Sequence, residues 1–180
     1  MSLSLNISNK INIIIGVLRV IKEAVIDENG LYRYILTRIW DKQKPHATFI
    51  MLNPSTADAS IDDPTIRRCI NFSRAWGFGG IKVVNVFAFR ATDPKKLMGV
   101  EDPIGQDNHS HVVNSFKMAG IIVAAWGASG PQREFPYNRI KMAMQEAGIQ
   151  KIYCLGITKD GNPRHPLYIK NSTKPIPYII

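Results

Sequence analysis

Four short strings hold most of the residues able to do chemistry. Asn53, Ser55, Thr56 and Asp58 lie in "MLNPSTAD", and Asn85 lies in "VVNVFAF" with Arg90 just after it. Trp126 closes "VAAW", and Lys159, Arg164 and His165 lie in "GITKDGNPRHPLY". A carboxamide donates and accepts at once, which suits the edge of a nucleobase. Lys159 and Arg164 suit phosphate oxygens. Trp126 or Phe89 offers a ring on which a base could stack. These types point to nucleic acid or a nucleotide-like small molecule as the partner.

Each residue also has a plainer reading. Asn-Pro is a common strand exit, so Asn53 fits a turn-maker and a functional group equally well. Asn85 is harder to explain, because a buried amide must find partners, from neighbouring loops or from a ligand. Trp126 fits the core as well as a stacking platform. Taken alone, His165 fits a structural or exposed loop histidine better than a functional one. Asp62 and Asp63 read as caps and turn-makers, while Asp58 stays open between turn, metal ligand and base. His109 and His111 face apart at i, i+2 on a helix and make no metal pair. Arg67, Arg68 and Arg74 read as a solvated helix face. No metal and no cofactor is expected.

The elements that must position these residues follow from periodicity. Four runs are almost continuously apolar: 47–53, 81–89, 120–127 and 151–156. Such runs suit central strands buried on both faces, usually parallel ones. Helical patterns fill the gaps. In "DDPTIRRCINFSRAWG" one stripe takes Ile66, Ile70, Ser73 and Trp76 or Gly77, with Asp63 as N-cap and Pro64 at the first helical position. Asp93-Pro94 repeats that signal before a short helix. Ahead of the alternation, residues 23–40 read as a hairpin turning at Asn29-Gly30. Residues 1–22 form an N-terminal extension, and residues 47–170 form the α/β core of one domain. The expectation is a three-layer α/β/α sandwich with a mainly parallel sheet. In such sheets ligands bind outside the carboxyl ends of the strands. The second run carries Asn85, and the other candidate site residues end or follow the four runs, so they converge on one edge.

Composition sets the bounds. The 180 residues carry a formal net charge of +9, which favours a polyanionic partner. Two cysteines, Cys69 and Cys154, lie far apart with no CxxC spacing, which excludes a zinc or iron–sulfur framework and suits a reducing compartment. The run "INIIIGVLRVI" is too short to span a bilayer and is interrupted by Arg19, so a cytoplasmic protein is expected. Neither GxxxxGK[ST] nor GxGxxG nor GxSxG occurs. P-loop nucleotidases, dinucleotide enzymes and elbow-type serine hydrolases are therefore unsupported.

The strings "MLNPSTAD", "DDPTIRRC", "WGFGG", "VVNVFAFRATDP", "AWG" and "PRHPLY" resemble a bacterial family of unknown function, the domain of unknown function 1643 family, over roughly residues 30 to 170. More distantly, the order of motifs is similar to the uracil-DNA glycosylase superfamily. That resemblance implies a uracil-DNA glycosylase-like fold and hydrolysis of an N-glycosidic bond. Asn53 matches the position of the catalytic Asp or Asn and would position a water. His165 matches the catalytic histidine. Asn85 matches the asparagine that reads the base edge. The chain departs from the superfamily at Met51, Ser55 and Leu167, where glycine, a pocket-shaping residue and serine are expected. The alternative is a non-catalytic module that binds nucleotide or nucleic acid in the same crevice.

Overall fold

A computed structural model describes residues 20–55, 57–127 and 134–180. Seven strands lie in one sheet: β1 Ile21–Ile26, β2 Arg33–Ile39, β3 His46–Met51, β4 Gly80–Asn85, β5 Ile121–Ala124, β6 Ile152–Cys154 and β7 Ile176–Tyr178. Their order is β1-β2-β4-β3-β5-β6-β7. Helix α1 (Pro64–Ala75) joins β3 to β4, α2 (Asn108–Lys117) joins β4 to β5, and α3 (Glu134–Ala147) joins β5 to β6.

The four apolar runs are β3, β4, β5 and β6, mutually parallel and central. Each is shorter than its run, because the chain leaves the ladder before the apolar character ends. The sheet as a whole is only partly parallel, which corrects the expectation of a mainly parallel one. The hairpin joins it through β2, antiparallel to β4, and β7 returns antiparallel to β6. Hairpin and tail saturate strand edges that the crossovers leave open.

Pleat alternation divides the core. Phe49, Met51, Val83, Val123 and Ala125 pack with Ile66, Cys69 and Phe72 of α1. Ile50, Val84, Val86, Ile122, Ala124 and Trp126 pack with Val112, Phe116, Ile140 and Ala143 of α2 and α3. Non-alternating strands bury both faces, as their sequences demand. Cys69 and Cys154 are buried free thiols.

Two local expectations shift. The α1 stripe runs through Ile66, Cys69, Phe72 and Ser73, with Ile70 only half-buried, because the 3.6-residue period rotates the buried face toward Cys69. Asp63 caps α1 as expected, accepting from the Ile66 N–H at 2.8 Å. The hairpin turn is longer than two residues. Only Gly30 is left-handed (φ +71°), while a type I′ turn needs two such residues. Instead Asp27 closes the loop, its Oδ1 accepting from the Tyr32 N–H at 2.7 Å. No described helix is long and apolar enough to cross a membrane. The expected N-terminal extension lies almost wholly outside the described residues, as do Thr56 and residues 128–130.

Candidate functional site

The strand order doubles back at β3: the chain moves from β3 to β4 on one side and then to β5 on the other. The carboxyl ends around such a switch point form a crevice. Asn53 follows β3, Asn85 ends β4, and Gly127 follows β5. Adjacent strands lie about 4.8 Å apart, so these ends span roughly 10 Å, the width of a small ligand.

Asn85 is fully buried, and among the described residues neither its Nδ2 nor its Oδ1 has a partner. Its cross-strand neighbour is Met51, and the flanking Val84 and Val86 face α2 and α3, so alternation turns Asn85 toward α1. The backbone around it is fully engaged. Asn108 Nδ2 donates to the carbonyls of Asn85 and Val86 at 3.1 and 3.0 Å. The strand is thus held at its end while the Asn85 side chain is left without a partner among the described residues.

Asn53 is half-buried and acts as a strut. Its Nδ2 donates to the Ala91 carbonyl at 2.7 Å and to the Pro54 carbonyl at 3.1 Å. The Ala91 N–H in turn donates to Pro54 O at 2.9 Å. These bonds bind the exit of β3 to the exit of β4. The Asn53 Oδ1 accepts no hydrogen bond among the described residues.

His165 reaches the same end from the C-terminal loop. A Cβ on Gly127 would stand 3.3 Å from the His165 Cβ, and Gly127 is left-handed (φ +76°), so glycine lets loop and strand end meet. The His165 Nδ1 accepts from the Leu167 N–H at 3.3 Å. In the neutral ring that places the proton on Nε2. Burial lowers the pKa of His165, and the charge of Asp63 opposes the shift. The loop is tied to α1 by Arg68, which donates to the carbonyls of Pro166 and Ile169 and to Asn171 Oδ1. Arg68 therefore anchors a loop and is no part of a solvated face.

The remaining expected site residues divide. Asp58 makes a turn: its Oδ1 accepts from Ser60 N–H (2.7 Å), Ser60 Oγ (2.9 Å) and Ile61 N–H (2.9 Å). Those bonds push its pKa down to about 2. Arg90 donates to the Gly30 carbonyl at 3.2 Å, across to the hairpin. Trp126 is 3% exposed, edge-on to Tyr178 at 5.9 Å on the α2–α3 side, and is a core residue. Ser55 is half-buried beside Asn53; Lys159 and Arg164 are exposed on the C-terminal loop. His109 bonds Glu146 at 2.8 Å and His111 stacks on Tyr34 at 4.9 Å, so the two histidines do face apart. Among the described residues no group of three or more His, Cys, Asp or Glu could hold a metal.

Two further residues were not expected. Arg33 and Arg38 of β2 are 2% and 0% exposed. Both reach the loop 54–63: Arg33 Nη1 donates to the Ala57 carbonyl, and Arg38 Nη2 donates to the Asp58 carbonyl at 2.6 Å. Arg38 also pairs with Asp62 at 2.7 Å. Burial lowers the pKa of Arg33 to about 10, opposed mainly by Asp63. Asp63 thus acts electrostatically on both Arg33 and His165. The sequence signal was there, since "RYILTRI" holds two cations in an otherwise apolar strand.

No curated protein and no solved structure matches this chain. The model of one family, described as a protein of unknown function (DUF1643), matches residues 33–167. That span runs from Arg33 to Leu167 and takes in every strand-end group described above, and the chain belongs to the DUF1643 family.

Proposed function

We propose that the crevice at the ends of β3, β4 and β5 binds a nucleobase, carried by a nucleotide or a nucleic acid, and that it supports hydrolysis of an N-glycosidic bond. The observation that carries this reading is Asn85, a fully enclosed carboxamide at the strand end with no partner among the described residues. An unpartnered buried amide is costly, and a base edge offering one donor and one acceptor would satisfy it. The net charge of +9 suits an anionic carrier. The three-layer, uracil-DNA glycosylase-like arrangement belongs to the same proposal. It is supported by the two apolar clusters that the pleat separates.

In this reading the glycosidic bond breaks with its electrons passing to the base. A neutral His165 donates from Nε2 to the base oxygen on which charge develops. The Asn53 Oδ1 accepts a hydrogen bond from the water that adds to the sugar carbon, and the water's proton ends on the departing base. Asn85 holds the base edge. Binding without catalysis is the second reading, favoured by the Asn53 Nδ2, which is fully engaged as a strut.

The test incubates the protein with oligonucleotides carrying uracil or damaged bases and scores alkali-labile sites. Cleavage that falls about 100-fold or more in His165→Ala, and likewise in Asn53→Ala, supports hydrolysis. Tight binding without cleavage across the panel leaves the binding module. Neither binding nor cleavage, with free nucleosides and nucleotides also inert, refutes both.

A further inference from the structure

The two buried arginines of β2 are partnered very differently. A guanidinium has five N–H donors. All five of Arg38 are directed at acceptors: Nε at Asp62, Nη1 at the Thr37 and Glu23 carbonyls, and Nη2 at the Asp58 and Ile61 carbonyls. Its charge is matched by the Asp62 carboxylate at 2.7 Å. Among the described residues Arg33, nearly as buried, makes one side-chain hydrogen bond, to the neutral Ala57 carbonyl. Its Nε is enclosed and unpartnered, and no carboxylate among the described residues pairs with it. Structural packing alone does not account for a buried cation left this open, because an unpaired buried charge is among the costliest features a core can hold.

The surrounding charges, with Asp63 the largest opposing one, do not offset the burial of Arg33. Arg33 feels the guanidiniums of Arg38 and Arg90 against the carboxylates of Asp63 and Asp58. Of those charges, Asp58 directs one oxygen into its own turn and Arg38 is matched by Asp62. The Arg33 N–H donates to the Ala88 carbonyl at 2.9 Å, three residues beyond Asn85 on the neighbouring segment. Arg33 and Asn85, two of the five described residues whose side chains hold an enclosed polar atom without a partner, therefore lie at the same end of the sheet.

We infer that Arg33 is the anion-binding residue of the strand-end site and takes an oxyanion group of the ligand, with Asn85 at the same end of the sheet. The inference rests on the nucleobase reading only for the nature of that group: for a nucleotide or nucleic acid it is a phosphate. A carboxylate shares the chemistry, and the two are separated by test. Arg33 reads no base and breaks no bond. It would make the site prefer a phosphorylated ligand to a bare nucleoside.

The experiment uses the full chain at constant ionic strength in a buffer free of oxyanions. Thermal melting and calorimetric titration are run with inorganic phosphate, acetate, a deoxynucleoside and its 5′-monophosphate. Wild type is expected to melt higher as phosphate rises, and to bind the monophosphate at least tenfold tighter than the nucleoside. Stronger binding of acetate would assign the site to carboxylates. Arg33→Met keeps the length and removes the charge. It is expected to abolish the phosphate response and the tenfold preference, without lowering the melting temperature of the ligand-free protein. Arg38→Met serves as the contrast and is expected to lower it. Three results would overturn the inference: no oxyanion response in wild type, a response retained in Arg33→Met, or a ligand-free Arg33→Met that melts as low as Arg38→Met. Loss of nucleoside binding with the phosphate response intact would count against the base-edge role of Asn85 alone.

Discussion

Replacing Asn85 with alanine should stabilise the ligand-free protein, although most core substitutions do the opposite. The side chain is fully buried, and both its amide nitrogen and its carbonyl oxygen lack partners among the described residues. Each unsatisfied polar group costs about 1–3 kcal/mol relative to water. Alanine removes both groups and leaves the backbone bonds to Asn108 in place. It also opens a small space, and about 24 cal/mol per Å3 over roughly 30–40 Å3 costs about 1 kcal/mol. The balance is a gain of about 2 kcal/mol. In a chain of this length that is a rise of roughly 4–8 °C in melting temperature. The assay is reversible unfolding by circular dichroism, in heat and in urea, on ligand-free wild type and Asn85→Ala. A variant that melts below wild type would show that Asn85 does structural work in the resting protein, and the reasoning for an open recognition group would fail. A variant that is more stable yet has lost nucleobase binding would mark a group kept for function at the expense of stability.

The pH dependence separates two other groups. Asp58 has a folded pKa of about 2, below that of an unfolded carboxylate, so its contribution is complete above about pH 4 and disappears as pH falls toward 2. Asp58→Asn should therefore melt lower than wild type at neutral pH, with the two melting temperatures converging as the solution is acidified. Parallel curves from pH 6 to 2 would contradict the role of its turn bonds. His165 should titrate below 6.5 when followed by NMR, because burial disfavours the imidazolium. Asp63→Asn removes the charge that opposes the shift, so the midpoint should move lower still; an upward move would place the controlling charge elsewhere.

The sequence by itself determined the scaffold of the site. The apolar runs at 47–53, 81–89, 120–127 and 151–156 suited strands covered on both faces, and they form the four parallel strands of the centre. Asp63-Pro64 fixed the start of α1, since a carboxylate cap and a residue with no N–H both suit a first helical turn. Asn85 stood out because an amide inside an apolar strand has no ready partner, and its side chain has none among the described residues. Such facts are local: they follow from periodicity and from the bonds a residue makes within a few positions of itself.

Long-range placement was decided only by the tertiary structure. The sheet became mixed because the hairpin and the tail pair with its flanking strands across long stretches of sequence, a choice no local period encodes. Trp126 went to the core because the pleat turned it toward Tyr178, and one residue's shift in register would have turned it the other way. Asp58, open between turn, base and metal ligand in the sequence, was taken by the N–H groups of its own turn. Arg33 and Arg38 stand five residues apart on one strand, a spacing that strict alternation sends to opposite faces, yet with the register irregular opposite Val25 and Ile26 both reach the loop 54–63. Only the loop folded against them gave Arg38 a carboxylate and left Arg33 without one, because electrostatic partnership depends on distance in space rather than along the chain.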